Sequence, residues 1–211
     1  VLADDIRTDY WDVFLPLKQF ATGKSRFRGL ANTERISLIK AMASDVIESL
    51  LQLSIIDSIT IVGENHLDVT ANRDPRIRSF PMSVLTGINA DLHQTIGASE
   101  RIAVILPDLP TITSGELAIA LDLADVHEQS FIPDFAGRGT TSYFSTRSKV
   151  FNPQFGPNSA LAHLRGGAIK LSHPSFVGIM RDCDDFKDLE QFPLSALGRS
   201  TRSIMEQQFR K

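Results

Sequence analysis

Cysteine is nearly absent: Cys183 is the only one in 211 residues. No disulfide can close within the chain, so the fold has to stand on its apolar core. That suits a reducing, cytoplasmic setting. A basic excess is missing too, with 22 Lys and Arg against 25 Asp and Glu and a formal net charge of -3. General nucleic-acid binding needs a broad basic surface, so no nucleic-acid partner is expected. No apolar run is long enough to span a bilayer, so no membrane partner is expected either. Residues 1–10 hold three aspartates instead of an apolar signal core and read as a lead-in. His66, His93, His127, His163 and His173 lack any metal-ligand spacing and read as surface or packing residues. Cys183 lies between two acids, which raise a thiol's pKa and argue against a nucleophile.

What is present reads as one α/β domain over residues 11–211. Residues 11–17 (WDVFLPL), 58–62 (SITIV), 76–80 and 101–106 (RIAVIL) have the length and apolarity of buried strands. Residues 130–132 and 175–180 (SFVGIM) are read as further strands. Ile36, Ile39, Met42, Val46, Leu50 and Leu53 recur at helical spacing after a cap at Asn32 or Thr33. Helices are also expected over 84–96, 114–124, 160–165 and 194–209, with a loop over 134–141 (DFAGRGTT). Alternating strands and helices predict a three-layer α/β/α domain around a mostly parallel, mixed sheet. Such sheets bind ligands beyond the carboxyl ends of their strands, so chemistry is sought there.

Three candidates stand at those ends. After the first strand, Lys18, Lys24, Arg26 and Arg28 occur with no acid between Val13 and Thr33. Cations beside Gly23 and Ser25 suit a polyphosphate, although Walker spacing is absent and a solvated basic loop reads the same way. Asp108 follows the 101–106 strand between Pro107 and Pro110, placed to hold Mg²⁺ or simply to cap the next turn. Asp182 and Asp184 alternate on a short segment and point to one side if it is extended, as metal ligands or as a surface turn. Taken together, these residues describe metal-assisted phosphoryl or nucleotidyl transfer.

The ordered set resembles one known family. Leu15-Pro16-Leu17-Lys18 and Gly23-Lys24-Ser25-Arg26-Phe27 are similar to the opening motif of the 2-phospho-L-lactate guanylyltransferases. Glu34-Arg35, Met42-Ala43-Ser44-Asp45-Val46, Gly87-Ile88-Asn89-Ala90 and Leu106 to Pro110 match further motifs in order. So do Gly137-Arg138-Gly139-Thr140-Thr141, Phe155-Gly156-Pro157-Asn158-Ser159 and Asp182-Cys183-Asp184-Asp185. The resemblance implies a nucleotide-diphospho-sugar-transferase-like (Rossmann-like) fold. It implies transfer of GMP from GTP to 2-phospho-L-lactate, phosphoenolpyruvate or 3-phosphoglycerate, with Mg²⁺, in deazaflavin coenzyme (F-420) biosynthesis. On it, Lys18, Lys24, Ser25, Arg26 and Asn89 bind GTP, and Thr141, Gly156 and Ser159 hold the phospho-acid. Asp108, Asp182 and Asp184 hold the metal, and Asp108, Lys18 and Lys24 are the catalytic set. A homodimer follows by the same analogy. Arg138, where the family has Thr, leaves the acceptor open. Two other readings remain: a relative acting on a molybdenum-cofactor or sugar-phosphate acceptor, and a non-catalytic nucleotide-binding homologue.

Overall fold

The computed structural model describes residues 10–17, 30–63, 69–81 and 86–209. Strand β1 (Trp11–Pro16) runs in the middle of a seven-stranded sheet, parallel to β2 (Ile56–Gly63) on one side and β4 (Ile102–Ile105) on the other. Beyond β2 lies β3 (Ile77–Pro81), also parallel. On the other side β6 (Thr140–Ser145) runs antiparallel to both β4 and β5 (Gln129–Pro133), and the two-residue β7 (Ile169–Lys170) closes the edge. The spatial order is β3-β2-β1-β4-β6-β5-β7. The sheet is mixed and mostly parallel, as expected.

Alternation along each central strand feeds two cores. Trp11, Val13 and Leu15 of β1, with Ala103 and Ile105 of β4, meet α1 (Asn32–Leu51) and α3 (Ser114–Asp125). Phe14, Ile102 and Val104 point the other way, toward α2 (Ile88–Thr95) and α4 (Ser159–Arg165). Both faces are covered, which explains why these strands are almost unbroken apolar runs. A third cluster joins Leu38 and Met42 of α1 to Cys183, Leu189, Leu197 and Met205. It seats α5 (Phe186–Glu190) and α6 (Arg199–Ile204) against the long helix. None of the described helices is long and apolar enough to cross a membrane.

Several boundaries differ from the sequence reading. Residues 175–180 are bends and turns, not a strand. Phe176 and Ile179 are buried as expected, but the N–H groups of Val177, Gly178 and Ile179 all bond the Glu116 carboxylate instead of a neighbouring strand. Thr140 and Thr141 begin β6 instead of ending a loop. Their hydroxyls suggested a turn, whereas β-branched residues followed by Tyr143 and Phe144 fit a fully buried strand. The α1 cap is Ala31, whose N–H donates to Glu34 Oε2 at 2.8 Å, and Asn32 is already helical. Helix α2 starts at Ile88, behind Gly87. The expected 194–209 helix is broken into a short turn at Leu194–Ala196, α6 and a π-helical end at Met205–Phe209.

Candidate active site

Asp108 lies just past the carboxyl end of β4 and is 8% exposed. Its carbonyl accepts the Cys183 N–H at 2.9 Å, which ties the distant 182–184 segment to it. Cys183 turns fully inward to the third apolar cluster. On extended backbone, its two neighbours therefore face the other way. One oxygen from each of Asp108, Asp182 and Asp184 lies within 4.8 Å of the others. Three carboxylates that close are a hard oxygen-donor set, which fits a divalent cation. The alternation argument holds, although the segment leaves a turn and not a strand.

The scaffold behind these aspartates was not visible in the sequence. Glu116 is buried at 7% exposed and its Oε1 accepts from Val177, Gly178 and Ile179 at 2.7, 2.6 and 3.2 Å. Its Oε2 accepts the Thr113 N–H and hydroxyl at 3.1 and 3.0 Å. One carboxylate at the start of α3 thus holds the run leading into Asp182. Gly178 passes so close to the Thr111 carbonyl that a Cβ would collide with backbone. Downstream, Asp188 Oδ2 accepts the Asp184 and Asp185 N–H groups at 2.8 and 2.9 Å. Asp45 of α1 accepts from Ser200 and Thr201 at 2.7 and 2.9 Å, and Gly198 leaves the room for it. The Gly198 N–H in turn bonds Pro110, two residues beyond Asp108. Arg181 lays its guanidinium carbon 4.4 Å from the centre of the Phe135 ring and 5.7 Å from that of Phe192. A cavity of about 770 Å³ bounded by Glu116, Val177, Gly178, Arg181 and Phe192 lies alongside, and none of the three aspartates lines it.

The second half of the site abuts the first through β6. Leu106, two residues before Asp108, donates its N–H to the Thr141 carbonyl at 2.9 Å. Thr141 is fully buried and its hydroxyl donates to the Ile132 carbonyl at 3.4 Å, so that hydroxyl is turned inward. The preceding loop is closed by Asp134, which accepts from Arg138 and Gly139 at 2.8 and 2.7 Å. Arg138 offers its carbonyl to the Ala160 N–H at 3.1 Å, joining this loop to the start of α4. The turn at Gly156 to Ser159 is left-handed at Asn158, with φ of 57°. The first four N–H groups of α4 are all bonded within the protein, to Gly156, Arg138 and Asn158 carbonyls. The Gly156 and Asn158 N–H groups and the Ser159 hydroxyl take no part in these bonds. Asn89 bonds both the N–H and the carbonyl of Phe155, each at 2.9 Å.

His163, expected to be a surface or packing residue, is a packing one. It is 1% exposed, stacked on Tyr143 at 4.9 Å and edge-on to Phe155 at 5.5 Å. Its Nε2 accepts the Gln154 N–H at 2.8 Å, so Nδ1 carries the proton facing Thr140 Oγ1 at 2.9 Å. Burial pushes the imidazole down to about 4, so it is neutral near pH 7. Lys18, Lys24, Ser25 and Arg26 lie outside the described residues.

A sheet covered on both faces, with a carboxylate trio gathered past the end of β4, is the frame of a nucleotidyltransferase-like α/β protein. The guanylyl transferase CofC-like family matches residues 11–205, and the chain belongs to that family. It is therefore a guanylyltransferase, a nucleotidyltransferase by reaction class. A phosphoenolpyruvate guanylyltransferase of Streptosporangium roseum is 30% identical over 204 residues, covering 93% of this chain and 90% of that one. In solved structures, a protein of Desulfovibrio desulfuricans G20 named for nucleotide-diphospho-sugar transfer superposes with TM-score 0.68 at 13% identity, covering 93% and 94% of the two chains. A manganese complex of a Mycobacterium tuberculosis protein superposes with TM-score 0.53 at 14% identity, covering 86% and 96%. At such identities the two structures speak to the fold alone.

Proposed function

We propose that the protein joins GMP from GTP to phosphoenolpyruvate, or to a phospho-acid of the same class such as 2-phospho-L-lactate or 3-phosphoglycerate. Pyrophosphate leaves, and the product is an activated intermediate on the way to a deazaflavin coenzyme (F-420). The observation that carries the reading is the convergence of Asp108, Asp182 and Asp184 past the end of β4, where Leu106 bonds Thr141 of β6. Family membership and the name of the Streptosporangium relative support the acceptor class. The single buried cysteine supports a cytoplasmic setting.

In this reaction an oxygen of the acceptor phosphate attacks the α-phosphorus of GTP. A phosphorus–oxygen bond forms there as the bond to the bridging oxygen of the β-phosphate breaks, and pyrophosphate departs with the electron pair. The attacking phosphate is already ionised, so the protein supplies no general base. Two anions repel, and the protein's task is alignment and charge neutralisation. Asp108, Asp182 and Asp184 would hold Mg²⁺. A divalent cation bound there would supply positive charge that offsets the repulsion between the two anionic substrates. Lys18, Lys24, Ser25 and Arg26 would clamp the triphosphate, a role resting on the sequence motif. Gly156 and Ser159 would meet the phospho-acid through an N–H and a hydroxyl. Thr141, fully buried with its hydroxyl on the Ile132 carbonyl and its carbonyl on the Leu106 N–H, would serve the acid by fixing the strand beneath it. Incubation with GTP, Mg²⁺ and each phospho-acid, followed by mass analysis, tests this. The expected product is the mixed diphosphate of guanosine and the acid. Its absence with every acid, beside intact GTP binding, would refute the proposal.

A further inference from the structure

We infer that Asn89 is a positioning residue for the phospho-acid: it sets the 155–159 turn from the neighbouring helix and is not a reader of the nucleotide. The inference rests on the guanylyl-transfer reading above. Asn89 Nδ2 donates to the Phe155 carbonyl and Oδ1 accepts the Phe155 N–H, both at 2.9 Å. One side-chain amide thus pairs with one residue's backbone as a neighbouring strand would. The amide is oriented by that pairing toward the acceptor turn.

Why the turn needs an external hold follows from its own bonds. The N–H groups of Ser159, Leu161 and Ala162 are taken by Gly156 and Asn158 carbonyls, and that of Ala160 by Arg138. Gly156 and Asn158 are exposed and their N–H groups take no part in these bonds, so a substrate anion can meet them, and both lie within three residues of Phe155. The position of Phe155 therefore decides where these donors point. His163 grips the same stretch from behind, through Gln154 N–H and an edge-on contact with the Phe155 ring. Asn89 itself stands on a braced helix start. Asp91, 4% exposed, accepts the Thr86 N–H and hydroxyl at 2.9 and 2.8 Å and the Gly87 N–H at 3.3 Å. Helix α2 comes after β3 in the chain, so the Asn89–Phe155 pair ties that part of the fold to the 155–159 turn.

The test compares wild type, Asn89→Ala and Asn89→Asp. Asp keeps an acceptor for the Phe155 N–H and loses the donor to its carbonyl. The KM for the phospho-acid is expected to rise by on the order of tenfold in Asn89→Ala, the loss of two net hydrogen bonds, and by at least as much in Asn89→Asp, where a carboxylate oxygen faces the Phe155 carbonyl. The KM for GTP stays within about twofold, and amide exchange across 154–156 accelerates while β1 and β4 are unchanged. A rise in the KM for GTP with an unmoved acceptor KM, or no change in either, overturns the inference. A wild-type protein inactive with every acid would sink the functional reading instead. The exchange arm then decides the hold by itself: unchanged exchange at 154–156 overturns it.

Discussion

Replacing Glu116 by Gln tests the scaffold without touching an atom of the proposed chemistry. The carboxylate accepts three consecutive N–H groups with one oxygen and the Thr113 N–H and hydroxyl with the other. An amide has only one acceptor atom, so one set must face an N–H donor. In the milder arrangement the carbonyl faces Val177, Gly178 and Ile179, and the Thr113 N–H is stranded. Three charge-assisted bonds then weaken and one is lost, a destabilisation of about 3 kcal/mol. For a chain of this size that lowers the melting temperature by roughly 6–12 °C. Thermal unfolding followed by far-UV circular dichroism measures it. Because residues 177–179 lead directly into Asp182, Mn²⁺ affinity measured by calorimetry on the folded variant should also fall several-fold. A melting temperature within about 2 °C of wild type would refute the claim that this carboxylate replaces a strand neighbour.

Asp182→Asn is expected to abolish turnover and weaken Mn²⁺ binding while leaving the melting temperature near wild type; wild-type rates would remove the metal role. Lys24→Ala should chiefly weaken GTP, and an unchanged apparent affinity would count against the clamp. His163 is held at about 4 against 6.5 when free. Its folded form binds fewer protons than its unfolded form between those values, so its contribution is complete above 6.5 and is lost as pH falls toward 4. Between pH 7 and 5 this removes about 2 kcal/mol of stability, read from urea midpoints. His163→Phe should lose most of that dependence, and the same pH slope in the variant would contradict the assignment.

The central parallel strands and α1 were legible because burial on both faces leaves long apolar runs, and because the helical spacing of Ile39, Met42, Val46 and Leu50 is clear. The ends were harder. Residues 175–180 look like a strand in composition, yet their backbone partners belong to Glu116, a residue about sixty positions away that no local pattern connects. The 140–145 strand was hidden by its hydroxyls, which mark loops in exposed chain and are tolerated inside a sheet when their neighbours are Tyr143 and Phe144. Asp108, Asp182 and Asp184 could be nominated from strand-end position and alternation, and the fold brings them together. The supporting residues could not. Asp45 sat inside a motif without a visible task and Asn89 was expected at the nucleotide; their partners at Ser200, Thr201 and Phe155 exist only in three dimensions.

The most direct measurement is pyrophosphate release from GTP with Mg²⁺, run with phosphoenolpyruvate, 2-phospho-L-lactate and 3-phosphoglycerate separately and with no acceptor. The account predicts release that depends on one of these acids, fastest with phosphoenolpyruvate, and none without an acceptor. Silence with all three while GTP still binds would contradict it.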